Sequence, residues 1–469
     1  MRRFITTLVL AAVPIAALAA DQWPQWRGPR SIAVSAETGL PTRWSATENV
    51  AWTAPLAGLG VSSPIVWGDR AFVTSQAGRS PLNPGSHPTL AGGRDVPAEM
   101  ERPLGGARGA VSSEIFFVVE AFRHADGERL WERRVRADGS LTGVHEKHNL
   151  ASATPATDGE RVYASFGTGQ VLALAAGDGG VVWQRHLGRD YGAFDIQWGA
   201  GSSPTLHDGQ LILLCDNPTA SYVVALDART GETRWKVDRG TGRSAYSSPI
   251  VVSGPRGPEL IVNSSERIDA YDPRTGEFLW HTDQPTRFAV PTPVFADGIL
   301  YLSRGYRSGP YMAIRLGGRG DISKSHVAWR VGSGAPYISS ILHYDGLIYM
   351  ANDGGIATAV DAKTGERIWQ QRLGGLFAAS PVAADGKVYL WSETGETVVI
   401  RAGRVFELVA RNDIGRRIVA SPAISGGRIF IRTDGHLIAV GGQPVAEVSP
   451  RAARTRSVNT EKPRARRCS

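Results

Sequence analysis

Apolar and polar positions alternate in short runs along most of the chain, and the runs recur in one order. A Ser-Pro or Thr-Pro pair comes first, then two or three apolar residues, a turn, and a second apolar run such as Gln210 to Leu214 or Ile299-Leu300-Tyr301-Leu302. A third run then enters the pattern Ala-x-Asp-x-x-Thr-Gly-Glu-x-x-Trp. It is complete at Ala225 to Trp235, Ala270 to Trp280 and Ala359 to Trp369, and weaker at Ala121 to Trp131 and Ala173 to Trp183. Period-two alternation broken by Asp-Gly and Thr-Gly turns predicts strands joined in hairpins.

The first motif falls at Pro64, Pro155, Pro204, Pro249, Pro293, Pro381 and Pro422, with Ile341 in the same frame after Ser339-Ser340. From Pro155 onward the steps run from 40 to 49 residues. That period suits four-stranded propeller blades. The outer-strand aromatics are Trp131, Trp183, Trp235, Trp280, Trp329, Trp369 and Phe406, seven for eight anchors. The eighth is supplied by Asn49-Val50-Ala51-Trp52, which precedes any anchor. The expected fold is therefore an all-β, eight-bladed β-propeller of four-stranded antiparallel blades with tryptophan-docking motifs. It spans 49–440 and is closed by an N-terminal strand that removes the open edge.

Each motif residue has a physical role. The Asp accepts hydrogen bonds from turn N–H groups, the Gly takes the positive φ the turn requires, and the Trp lays a flat face on the next blade. This accounts for most of the unusual tryptophan content, 13 residues against 13 Phe. It also explains the 55 glycines, well above the usual share of about 7%.

The ends read differently. Residues 1–20 have Arg2 and Arg3 before an apolar stretch and Ala17-Leu18-Ala19 as a cleavage site, the make-up of an export signal. No other stretch has membrane length, so the expected location is periplasmic or secreted after cleavage. Residues 21–48 form an N-terminal extension. Residues 76–111, rich in Gly, Pro and Arg, are an insertion in the first blade; disorder is the preferred reading and a lid the other. Residues 441–469 read as a basic, disordered tail. The signal and the tail together account for all but one unit of the net charge of +8. The propeller is nearly neutral, and nucleic acid is not an expected partner. Two cysteines, Cys215 and Cys468, exclude a disulfide scaffold.

The docking motif resembles that of the pyrroloquinoline-quinone (PQQ) repeat propellers, the quinoprotein alcohol dehydrogenase-like and BamB-like superfamily. Asp21-Gln22-Trp23-Pro24-Gln25-Trp26-Arg27-Gly28-Pro29 is similar to the opening of exported members. The resemblance implies either a PQQ- and calcium-dependent dehydrogenase or a non-catalytic envelope propeller. The dehydrogenases carry two adjacent cysteines over the cofactor, whereas Cys215 stands between Leu214 and Asp216. The BamB-like lipoproteins carry a lipid-modified cysteine after the signal, which this sequence lacks.

Strand direction puts the short hairpin turns on one face and the long, irregular connections on the other, where function collects. One irregular loop carries His145, His148 and Asn149; His-Glu-Lys-His is one residue short of the zinc-protease spacing, and solvated or blade-capping histidines are preferred over a metal pair. Another carries Tyr191, Asp195 and Trp198, and further ones supply Arg243, Tyr246, Arg287, Arg304 and Tyr306. Together they predict an aromatic, arginine-rich rim suited to an anionic or planar ligand, with a plain solvated rim as the alternative. No catalytic residue and no metal site are assigned. The expected function is a monomeric, non-catalytic binding or scaffolding propeller for an envelope protein or small ligand. The alternatives are a PQQ/Ca-dependent dehydrogenase, with Asp195 as base, and a carbohydrate- or peptide-binding propeller.

Overall fold

In a computed structural model the described residues are 22–78, 115–139, 144–145, 147–306 and 308–442. The expected signal segment, residues 79–111 of the first-blade insertion and the tail beyond Gly442 lie outside them.

Eight antiparallel sheets follow one another along the chain. Blade 1 runs from Ile65–Trp67 at the axis to Arg129–Arg136 at the rim, and blade 2 from Ala156–Thr157 to Val181–His186. Blades 3 to 7 begin at Thr205, Ile250, Val294, Leu342 and Val382. Blade 4 gains a fifth, parallel strand, Gly320–Asp321. Inner strands of successive blades touch, and the strand of blade 8 at Ala423–Ser425 meets that of blade 1, so the sheets form a ring.

Blade 8 is built from both ends of the chain. Val50–Pro55 pairs antiparallel with His436–Gly441, Thr53 opposite Ile438. The eighth outer strand is thus the N-terminal one, and the ring has no open sheet edge between its first and last blades.

The hairpin chemistry follows the sequence. Asp208-Gly209, Asp297-Gly298, Asp345-Gly346 and Asp385-Gly386 have positive φ at both turn residues, as a two-residue turn that matches strand twist demands. In the docking motif Asp227 Oδ1 accepts the N–H groups of Arg229 and Thr230, both at 2.9 Å.

Across each outer pair a small residue faces the tryptophan: Ala225 opposite Trp235, Ala359 opposite Trp369, Ala439 opposite Trp52. The indole then reaches the next blade. Trp52, Trp131, Trp183, Trp235, Trp329 and Trp369 each donate Nε1–H to a backbone carbonyl there at 2.9–3.1 Å. A glycine takes the ring face. A Cβ on Gly231, at φ 76°, would stand 2.7 Å from Trp183. Two blades depart from this pattern. Trp280, fully buried beside the extra strand, donates to Glu259 Oε2 at 2.6 Å instead. Phe406 is not the docking residue of blade 7: Ala410 holds that place opposite Val399, and Phe406 packs edge-on against Trp369. The aromatic count misplaced it because the blade keeps the register without the ring.

Candidate functional site

The axis holds a cavity of ≈ 200 Å³. Its floor is the N-terminal extension, which crosses the smooth face of the ring blade by blade. Trp23 pairs with Val66 through two backbone hydrogen bonds, 2.8 and 2.9 Å. Pro24 O accepts from Thr157 N–H at 2.8 Å, and Gln25 Oε1 from Leu206 N–H at 3.0 Å. Trp26 Nε1–H donates to Thr292 Oγ1 at 3.0 Å, and Arg27 reaches Ile341 O at 2.7 Å. Val34 bridges to Ala383. Blades 1, 2, 3, 5, 6 and 7 are thereby tied to one segment, and Trp26 lines the cavity it closes.

The walls begin as a ring of hydroxyls. Each blade contributes one at the entry of its inner strand: Ser63, Thr154, Ser203, Ser248, Thr292, Ser340, Ser380 and Ser421, all lining the cavity. The N–H of each donates to the hydroxyl oxygen of the next, from Ser63 through Ser421, at 2.8–3.3 Å. The circuit breaks once, where Ser63 Oγ, buried, accepts nothing.

Above the ring stand loops of the irregular face. His145, Lys147 and His148 come from the connection into blade 2, Trp198 from that into blade 3, Tyr246 from that into blade 4, and Tyr337 from that into blade 6. His145 N–H donates to Trp198 O at 3.1 Å, and the two rings meet edge-on at 5.6 Å. Tyr246 OH donates to Gln197 O. These bonds hold Trp198 at φ 75°, a left-handed backbone that costs a bulky residue of order 1–3 kcal/mol and clusters at ligand sites.

Both ring nitrogens of His148 are shut off from solvent and neither has a hydrogen-bond partner. Burial, with His145 adding, pushes its pKa down to about 4. Burial also takes His145 down to about 4. Both rings are therefore neutral at pH 7, each with one donor and one acceptor nitrogen. The imidazole of His148 fits because two glycines flank it: a Cβ on Gly201 would lie 2.8 Å from Nε2 and one on Gly199 3.4 Å from Nδ1. Lys147 spans the axis to Glu393 of blade 7, Nζ to Oε1 at 2.7 Å, so the one ammonium among the described lining residues is already paired. Nearby Arg417 pairs with Asp434 at 3.3 Å, and burial raises the Asp353 carboxyl, whose Oδ2 accepts Tyr337 N–H at 2.8 Å.

The residues singled out from sequence separate into two groups. His145, His148, Trp198 and Tyr246 converge on the cavity. The others do not line it. Asn149 shapes its own loop, accepting Ala151 N–H at 2.9 Å and donating to Leu59 O at 2.8 Å. Tyr191 lies toward the rim of blade 3, its hydroxyl 2.6 Å from Thr233 Oγ1. Asp195 is exposed. The arginine-rich rim is not formed as expected. Arg243 is buried, 3.2 Å from Asp269, beside Arg239, which binds Asp216 and Asp269, each at 2.8 Å. Arg304 is buried against the carbonyls of Ser264 and Ser265 at 2.6 and 3.0 Å, and burial brings its pKa down to about 9. Arg287 alone of the three stays exposed; it stacks over Phe288 and Tyr306 at 5.2 and 5.7 Å. Sequence reading missed Trp26 and the hydroxyl ring. The signal for the ring in the sequence is the Ser or Thr that precedes each anchor.

Calcium and PQQ find a poor fit here. Among the described residues lining the cavity none is a carboxylate, whereas calcium takes six to eight oxygens with carboxylates among them. PQQ is a polycarboxylate, and the single cation among the described lining residues is bound to Glu393. Cys215 ends the second strand of blade 3, Gln210–Cys215, buried and unbridged.

Comparison with known proteins agrees with the ring. A family model described as outer membrane protein assembly factor BamB matches residues 116–320 and 321–444. The chain is 22% identical to the assembly factor BamB of Moranella endobia over 74% of its own length and 87% of the relative's. It is 26% identical to the tetrathionate hydrolase of Acidithiobacillus ferrooxidans over 54% of its length, but spans only about half, 52%, of that protein. The quinohemoprotein alcohol dehydrogenase of Comamonas testosteroni superposes on 92% of this chain and 82% of its own, with 15% identity and a TM-score of 0.64, which speaks for the shared fold alone. Because the model matches well over half of the residues, the chain belongs to the outer membrane protein assembly factor BamB family.

Proposed function

We propose that this protein is a non-catalytic, extracytoplasmic propeller that binds or scaffolds other proteins of the cell envelope, with the irregular face as its working surface. The observation that carries the reading is the family match across 116–444. Two features support it. The N-terminal extension covers the smooth face at the axis, leaving the irregular face as the accessible end. No helix of the described residues is long and apolar enough to cross a membrane, so a partner or export would have to place the protein in the envelope. We take it to act as a monomer in the periplasm.

The test is site-specific photo-crosslinking in cells. A probe at Arg287 or Arg416, on the irregular face, should trap envelope proteins, and a probe at Arg229, in a smooth-face turn, should not. Reproducible PQQ- and calcium-dependent oxidation by the purified protein would overturn the reading.

The dehydrogenase is the second reading, favoured by the fold shared with the quinohemoprotein enzyme. The lining chemistry weighs against it, and Asp195, the carboxylate proposed as base, does not line the cavity. Titration with PQQ and Ca²⁺ distinguishes the two.

A further inference from the structure

Among the described residues, blade 4 alone carries a fifth strand, and that strand comes from its neighbour. In blades 3, 4 and 6 a short Asp-x-x-Thr-Gly-Glu turn joins the last two strands. In blade 5 residues 316–326 make that connection and run back to blade 4. Gly320 pairs with Trp280 and Asp321 with His281, in parallel. Ile322 N–H donates to His281 O at 2.9 Å, and its side chain is buried in a core shared by blades 4 and 5. Trp280 bonds Glu259 in its own blade, so this excursion stands where the other docking tryptophans bond the next blade.

The register has a chemical result. His281 and Asp283 are two apart on one strand and share its face, and the parallel pairing sets Asp321 beside them. His281 Nδ1 is buried without a partner. Its Nε2 is turned to the carboxylates, 3.7 Å from Asp283 Oδ1 and 4.0 Å from Asp321 Oδ1. One ligand atom from each of the three residues lies within 4.8 Å of the others. Ser323 orients both aspartates: its hydroxyl donates to Asp321 Oδ1 at 2.5 Å and accepts Asp283 N–H at 2.9 Å. Like charges held this close repel, and a cation between them removes that cost.

The donor set selects the ion. One imidazole nitrogen with two carboxylate oxygens suits a borderline divalent ion such as zinc, whereas calcium and magnesium take oxygen ligands. Tetrahedral ligands about 2.0–2.2 Å from zinc stand about 3.4 Å apart. The two nitrogen–oxygen spacings exceed that by a few tenths of an ångström, and the Asp283 side chain, 63% exposed, is free to swing that far.

We propose that His281, Asp283 and Asp321 bind one zinc-type divalent ion, with water in the fourth position, and that the ion fastens the blade 5 excursion to blade 4. The site is independent of the envelope-scaffold reading, since it rests on this cluster alone.

The probe is Zn²⁺, titrated by calorimetry into the purified, tag-free full chain at pH 7 after chelator treatment, with Mg²⁺ in parallel and Co²⁺ as a spectroscopic stand-in. Zn²⁺ should bind one to one and raise the melting temperature, and Mg²⁺ should bind at least about tenfold more weakly. Co²⁺ should give the visible absorption of a four-coordinate site. Ser323→Ala, which removes an outer partner, should weaken zinc binding about tenfold. His281→Ala and Asp321→Asn, which remove ligands, should each weaken it more than about 100-fold and abolish the cobalt band. Melts without metal report whether each variant folds; if His281→Ala does not, Asp321→Asn decides. Absence of saturable zinc binding, magnesium binding as tight as zinc, or unchanged zinc affinity in a folded His281→Ala or Asp321→Asn protein, the mark of an adventitious ion only, would each overturn the proposal.

Discussion

Trp26 and Thr292 are joined by a 3.0 Å hydrogen bond although 266 positions separate them. The bond ties the N-terminal extension to the hydroxyl ring of blade 5 and closes the axis from below. Replacing Trp26 by alanine removes a large ring and leaves the axis open at both ends. The expected loss is about 2–3 kcal/mol, less than for a fully buried tryptophan because the segment stays anchored by its backbone bonds. Denaturant unfolding measures it, and an unchanged midpoint would show that the floor carries no weight.

The joint between the two chain ends rests on Trp52. Its indole bonds His124 O at 2.9 Å and covers Gly127, where an added Cβ would stand 2.5 Å from the ring at φ 74°. Trp52→Ala should cost about 3–5 kcal/mol. Gly127→Ala should cost more than about 1 kcal/mol through the backbone alone. Because the two changes meet at one contact, their effects should not add in a double-mutant cycle of melting free energies.

Between blades 3 and 4, Asp269 gathers Arg239, Arg243 and Arg267 at 2.8, 3.2 and 2.7 Å. Asp269 and Arg239 are fully buried. Asp269→Ala strands buried positive charge and should destabilise the protein by about 3–5 kcal/mol. A urea midpoint close to that of the wild type would mean water reaches the arginines.

His148 should make stability depend on pH. Its folded pKa, about 4, lies below the ordinary 6.5, so folding favours the neutral ring. The associated stability is complete above pH 6.5 and falls as pH drops toward 4. The slope from this one group reaches about 1.4 kcal/mol per pH unit. Urea unfolding at several pH values should show His148→Leu falling less steeply than the wild type across this window. Parallel curves would place the ring in contact with water.

Much of this architecture was legible because propeller blades repeat local chemistry. Asp-Gly turns, the small residue opposite Trp and the Gly beneath it are all set within a blade and its neighbour, so eleven residues such as Ala225 to Trp235 suffice to announce them. Phe406 shows the limit: the backbone of blade 7 keeps its register with Ala410, and an aromatic nearby in sequence is not at the docking position. The loops were harder. His145, Trp198 and Tyr246 approach the axis because they precede inner strands, and strand direction reveals that. Arg243 and Arg304 occupy similar loops yet turn inward, drawn by Asp269 and by the carbonyls of Ser264 and Ser265, acceptors whose position depends on how blades meet. Trp26 gave no periodic signal, since the segment that carries it forms no regular strand.

The hydroxyl circuit runs in one direction, every N–H pointing to the following blade, and its only missing link lies between Ser421 and Ser63. That is also where the polypeptide begins and finishes its tour. Parting the wheel at any other spoke breaks one of these bonds, while parting it there breaks none. Another device holds that joint: Arg432 of blade 8 is fully buried there and donates to Ser62 O at 3.2 Å, Thr74 O at 2.5 Å and Ser75 Oγ at 2.9 Å in blade 1, so a buried guanidinium stands where the hydroxyl circuit stands at the other seven joints.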